Sequence, residues 1–192
     1  MTLYQERNKA ILEILLSNNV DTVLDCGCGN GRLLNLLFKS YKFKKLSGLD
    51  NSKKQIRMAR KKNMDSNINF FCQSIFDFAF SSDLSYYDAI VASEIIEHFT
   101  KDELNDFLRI VFSILSPKIV IITTPNKDYN YNYEKLYNGL RHSTHYFELN
   151  ESEAINFAEN IEKKYLNYTA TCDFCDINHS SHLITFKRSV IL

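Results

Sequence analysis

Apolar residues recur at helical spacing over 3–17, where Leu3, Ile11, Leu12, Leu15 and Leu16 fall on one side and Asn18-Asn19 closes the run. This predicts an amphipathic flanking helix within 1–19. Beyond it, short apolar runs alternate with helical patterns. Strands are predicted over 20–25, 45–49, 68–72, 87–92 and 118–123. Helices are predicted from Arg32 onward, over 53–62, and over 101–115, where Leu104, Phe107, Leu108, Val111, Phe112 and Leu115 keep the helical period until Ser116-Pro117. Such alternation argues a doubly wound α/β fold, a mostly parallel sheet with helices on both faces. The tail alternates over 168–172 and 182–188 and reads as an antiparallel strand pair added to the sheet edge. Residues 124–150 form a polar, aromatic loop before a helix over 151–165, and loops of that length are usually functional.

The first strand runs into Cys26-Gly27-Cys28-Gly29-Asn30-Gly31 before Arg32 opens a helix. Strand, glycine turn and helix make a nucleotide cradle. A dinucleotide fingerprint needs a different glycine spacing, since Arg32 follows the third glycine here, so NAD does not fit. Asp25 stands immediately before the turn. Its carboxylate would oppose a pyrophosphate but attract an ammonium, such as the methionine end of S-adenosylmethionine. Asp50 closes the second strand, placed to accept from ribose hydroxyls or to serve as a simple turn or cap residue. Behind the third strand, Gln73 and Ser74 can edge an adenine ring. The candidate cofactor set is therefore Asp25, Gly27, Gly29, Gly31, Asp50, Gln73 and Ser74, with Ser93 beside it at the end of the fourth strand.

Ser93 opens the stretch SEIIEH. If helical, it sets Glu94, Glu97 and His98 on one face just past a strand's carboxyl edge, where open α/β sheets bind ligands. Two carboxylates and an imidazole this close suit a cation, with His142 or His145 as a further ligand. Taken alone, the stretch is equally a solvated acidic helix start.

At 192 residues and 45% hydrophobic, the chain suits one domain spanning 1–192. Its formal charge of zero provides no basic field for long nucleic acid, so DNA is not expected and any nucleic-acid contact is local. The five cysteines are scattered, the N-terminus has no apolar signal core, and no apolar run approaches the ~20 residues of a membrane span. A reducing cytoplasm and no membrane are the expectations. Cys172-x-x-Cys175 lacks a second pair to complete a zinc site.

DCGCGNG followed by Asp50 resembles the class I S-adenosylmethionine-dependent methyltransferases, which implies a Rossmann-like, seven-stranded sheet whose last strand runs antiparallel. SEIIEH (93–98), TTPNKDYN (123–130) and RHSTHYFE (141–148) together resemble the small-RNA 3′-terminal 2′-O-methyltransferase family. That resemblance covers about residues 20–157. Its ExxEH pattern implies the metal ligands Glu94, Glu97 and His98, and its R-H-x-D-H-x-F-E-W pattern implies His145 as the fourth. His142 competes for that place. These four ligands are also the expected catalytic residues, serving Mg²⁺ or Mn²⁺. Within the metal and substrate loop, 124–150, Asn126, Arg141 and His142 are expected to bind substrate, with Lys127 and Lys135 nearby. Thr144 replaces the family's Asp and Leu149 its Trp, which removes a charge behind an imidazole and loosens packing behind the loop. The implied partners are an RNA 3′ end and a separate RNA-binding or RNA-repair protein. Two other functions fit parts of the pattern: O-methylation of a small vicinal diol, and a noncatalytic cofactor-binding subunit.

Overall fold

The computed structural model describes residues 1–78 and 87–189. Helix α1 (Leu3–Ser17) leads into β1 (Thr22–Cys26), α2 (Arg32–Ser40), β2 (Lys45–Leu49), α3 (Lys53–Lys62), β3 (Asn69–Phe71), the single turn α4 (Ile75–Phe78) and β4 (Ala89–Ser93). Then come α5 (Lys101–Arg109), β5 (Ile119–Pro125), α6 (Glu151–Lys164), β6 (Tyr168–Phe174) and β7 (Ser181–Arg188). The strands form one seven-stranded sheet in the order β3-β2-β1-β4-β5-β7-β6. The first five strands pair in parallel, and β7 runs antiparallel to both β5 and β6. This is the class I methyltransferase fold expected from the sequence. Among the described residues, no helix is long and apolar enough to cross a membrane.

Local chemistry sets the helix starts. Thr2, Thr100 and Asn150 cap α1, α5 and α6 in reciprocal boxes with Gln5, Glu103 and Glu153, which satisfies donors the helices would otherwise leave orphaned. The sheet then divides the core by strand alternation. Leu24, Ile90, Ala92, Val120 and Ile122 face Phe107, Val111, Ala158 and Ile161. Val23, Ala89, Val91, Ile119 and Ile121 face the side of α1, α2 and α3, where Ile11, Leu15, Leu34, Leu37 and Ile56 are buried. Each buried Val, Leu, Ile or Phe among them contributes about 1.5–3 kcal/mol of burial.

Two elements differ from the sequence expectation. The helix over 101–115 keeps its α-helical ladder only to Arg109 and continues as a π-helix, Ile110–Leu115. Ile110, Val111 and Phe112 are all buried, more consecutive inward positions than an α-helical turn offers, and the widened turn accommodates them. SEIIEH is not a regular helix. The Glu94 N–H donates to the Thr123 carbonyl at 2.9 Å, Glu94 takes a left-handed φ of 54°, and only Ile96–His98 completes a 3₁₀ turn.

Candidate active site

Parallel register brings the carboxyl ends of the central strands level. Cys26 pairs with Leu49 on one side and Ala92 on the other, and Ser93 pairs with Thr123. Strand order reverses between β1 and β4, which is where an open α/β sheet leaves a crevice. Here the crevice holds about 570 Å³ and is lined by Gly27, Asp50, Gln73, Ser74, Ile95 and His98, among others.

The glycine turn is shaped for this place. A β-carbon on Gly27 would lie 2.6 Å from Ile95 Cδ1, so a side chain there would drive the turn into the SEIIEH segment. Gly29, at φ +52°, has open space where its β-carbon would be, and its N–H donates to Asp50 Oδ2 at 2.9 Å. Gly31 also needs its positive φ, but it packs against the Phe70 ring and Asn63. Asp50 accepts a second backbone N–H, from Ser52 at 2.8 Å. Asp25, 3% exposed, is pushed up to about 8 by burial and then by the Asp50 charge. A positive ligand beside Asp25 would offset both by favouring its charged form. Ser93 spends its hydroxyl on Thr123, 2.9 Å away.

At the other end of the crevice, Glu97, His98 and His145 bring one ligand atom each within 4.8 Å of one another. Glu97 is 1% exposed and accepts from Thr124 Oγ1 at 3.0 Å. Burial, followed by the Glu94 charge, holds its carboxyl well above the usual range. His98 Nδ1 lies 2.8 Å from Thr144 Oγ1, and burial together with His145 lowers its pKa, leaving a neutral ring with a lone pair to offer. His145 Nδ1 meets Glu148 Oε1 at 2.6 Å. Such a carboxylate fixes the ring and leaves its second nitrogen for a ligand.

Glu94 stands outside that group. Its carboxylate pairs with Arg7 of α1 at 3.2 Å and accepts from Thr123 Oγ1 at 3.1 Å and Ser181 Oγ at 3.4 Å. The left-handed backbone at Glu94 explains the separation, because without a helix Glu94 and Glu97 do not share a face. His142 is also outside, its Nδ1 2.8 Å from Thr144 Oγ1. Thus Thr144 touches two imidazoles from the position where the family pattern has a carboxylate.

The other loop residues expected to bind substrate hold the loop together. Asn126 is buried, donating to the His179 carbonyl and accepting from the Asp128 N–H. The Arg141 guanidinium donates to Asn130 Oδ1 at 2.7 Å and to the Asn126 carbonyl. It also lies over the Tyr129 and Tyr133 rings. Buried Glu148 gathers Asn130 Nδ2, the Arg141 N–H and His145. The sequence reading gave no role to Glu148 or Arg7. Glu148 was findable as the acid three residues after His145, whereas Arg7 looks like any polar residue on an exposed helix side.

With the geometry in place, comparison with known proteins gives it a lineage. Residues 23–118, half of the chain, match the family model described as a methyltransferase domain. The chain belongs to this family. Its methyltransferase-domain fold is close to that of the bacterial CtHen1-C methyltransferase domain, with a TM-score of 0.82 and 28% identity over 98% of this chain and 100% of that one. Among curated relatives, the small RNA 2′-O-methyltransferase of Schizosaccharomyces pombe is 28% identical over 97% of the chain. That of Xenopus tropicalis is 31% identical over 87%. The resemblance read from the three motifs is therefore borne out. The chain spans only 57% and 47% of those two relatives' lengths.

Proposed function

We propose that this domain transfers a methyl group from S-adenosylmethionine to the 2′ hydroxyl of the 3′-terminal ribose of an RNA, assisted by Mg²⁺ or Mn²⁺. The observation that carries the reading is the convergence of Glu97, His98 and His145 at one end of a crevice lined by Gly27, Asp50 and His98. The donors suit a divalent ion: a buried carboxyl short of positive charge and two imidazoles, each with one nitrogen already engaged. Glu94 is the remaining candidate ligand, its carboxylate paired with Arg7 in this structure. Held by these residues, such an ion would supply Lewis acidity that eases loss of the hydroxyl proton. Glu148 keeps His145 turned toward the site, and Thr144 does the same for His98. Asp25 answers the donor's ammonium, and the free lone pairs of Asp50 answer its ribose. Much of the acceleration is then positioning of the acceptor oxygen against the methyl group.

The 3′ terminus is singled out because its two neighbouring hydroxyls would offer a divalent ion held by Glu97, His98 and His145 a pair of oxygen ligands, and an internal nucleotide has no free 3′ hydroxyl. The test is to incubate short RNA with labelled donor and then with periodate, which cleaves only an unmodified vicinal diol. Protected 3′ ends are expected, with 3′-phosphorylated, 3′-deoxy and 2′-deoxy RNA all poor acceptors and transfer lost on chelation. Label on a base or an internal ribose, or full transfer in chelated buffer, would refute the reading.

A further inference from the structure

Beside the candidate ligands, the loop displays aromatic rings that the chemistry above leaves unused. Tyr131, Tyr133 and Tyr137 are 84%, 40% and 41% exposed. Resting on the function proposed above, we propose that these rings form a stacking platform for unpaired bases at the RNA 3′ end, with Tyr137 taking the base nearest the reacting ribose. Tyr137 is rigidly presented. Asn138 and Gly139 have φ of +52° and +84°, a two-residue turn of the primed kind that tight hairpins favour. The Tyr137 and Leu140 N–H groups each donate to the other residue's carbonyl, at 2.7 and 3.0 Å. Asn130 ties the turn down through the Gly139 carbonyl at 3.1 Å and binds Glu148 at 2.6 Å, the same Glu148 that holds His145. One framework therefore fixes both a candidate ligand and the ring.

The rings lead to the site in steps: Tyr137 lies 6.4 Å from His142, and His142 lies 5.7 Å from His145. Cations interleave with them. Lys135 Nζ sits 5.0 Å from the Tyr137 ring centre, and the Arg141 guanidinium 4.9 Å from that of Tyr133. Aromatic rings alternating with cations suit a single strand, whose bases stack while its phosphates meet the charges, without preference for sequence. A chain of zero net charge needs such a source of affinity.

The experiment measures anisotropy of a 5′-fluorescein RNA decamer with S-adenosylhomocysteine and Mn²⁺ present. Tyr137→Ala should weaken binding on the order of tenfold, the equivalent of one base–aromatic stack, whereas Tyr137→Phe should bind as the unaltered protein does. A decamer lacking its terminal base should show a similar loss with the unaltered protein and none further with Tyr137→Ala. Replacing Tyr131 and Tyr133 together should cost less. RNA bound and methylated normally by Tyr137→Ala overturns the platform and leaves the function standing. Equal losses by Tyr137→Ala on both decamers also overturn it, pointing to a structural part for the ring. No RNA binding by the unaltered protein overturns both. If Tyr137→Ala fails to fold, the abasic decamer with the unaltered protein decides alone: undiminished binding overturns the platform.

Discussion

Two carboxylate pairs stand at the carboxyl edge of the sheet, and their construction is similar. In the first, Asp50 is tied down by two backbone N–H donors while Asp25 is buried and raised to about 8. In the second, Glu94 is tied down by Arg7, Thr123 and Ser181 while Glu97 is buried and raised. Each pair thus has one acid satisfied by the protein and one short of positive charge. The surroundings separate their uses. Glu97 has His98 and His145 beside it, nitrogen donors that suit a metal ion. Asp25 has the backbone of the glycine turn and the ring of Tyr4 on α1, a setting that suits an organic ammonium.

The widest test of that division is to break one pair at a time. Glu97→Ala and His145→Ala are each expected to lower methyl transfer by about 10³-fold, since Lewis acidity is worth several kcal/mol. S-adenosylmethionine affinity, read by calorimetry, should stay within about twofold. Asp25→Asn should do the reverse, costing about 1.5–3 kcal/mol of cofactor affinity with little change in Mn²⁺ binding. If Glu97→Ala weakened the cofactor as much as Asp25→Asn does, the two pairs would be one site and the division would fail.

The first pair was legible from sequence because it is local. Asp25, the glycines and Asp50 lie within one strand-turn-helix-strand unit, and plain parallel pairing sets Asp25 opposite Gly48. The second was offered by SEIIEH itself only as a cation site on an assumed helix, and the resemblance then named its ligands. The spacing of Glu94, Glu97 and His98 places them on one face only if SEIIEH is helical, and the structure has a left-handed Glu94 whose N–H is claimed by β5. That claim depends on a contact 29 residues away in sequence, between Glu94 and Thr123, and no local pattern announces it. The same holds for Arg7, which crosses from α1 to Glu94, and for Arg141 and Asn126, which also bond within the loop's own frame. Sequence alone cannot tell a polar residue held for structure from one left free for substrate.

A smaller effect probes the support behind the second pair. Glu148→Gln keeps the shape but removes the charge that orients His145. Mn²⁺ affinity should fall about 10- to 100-fold, as for other residues behind a ligating imidazole. Calorimetric Mn²⁺ titration reads this directly, and an unchanged affinity would detach Glu148 from the metal.

The first pair should show its charge deficit as a pH dependence. Below about pH 8 the unliganded Asp25 holds a proton, and pairing with an ammonium requires its release. Cofactor affinity should therefore rise by up to about tenfold per pH unit from pH 6 toward 8 and then stop rising. Calorimetry in two buffers of different ionisation enthalpy should count about one proton released at pH 7. Asp25→Asn should flatten the rise and release none. A rise that persists in Asp25→Asn would place the titrating group elsewhere.

The least effect expected is on stability, and its sign is the informative part. An unfolded aspartate titrates near ~3.9, whereas folded Asp25 titrates at about 8. Between those values the folded state binds more protons than the unfolded one, so the Asp25 contribution to stability declines as pH rises through the window. It levels off above pH 8, where both states are ionised. Asparagine has nearly the same shape and no charge to bury. Asp25→Asn without cofactor should consequently melt at least ~2 °C above the unaltered protein at pH 8.5, with the gap narrowing toward pH 5. Saturating S-adenosylmethionine should shrink or reverse the gain, because an ammonium beside the ionised carboxylate removes the deficit that asparagine cured. Melting curves at these two pH values, with and without ligand, test the sign. A variant that melts lower than the unaltered protein at pH 8.5 without ligand would mean that Asp25 is satisfied by the fold itself, and the contrast between the two pairs would lose its first member.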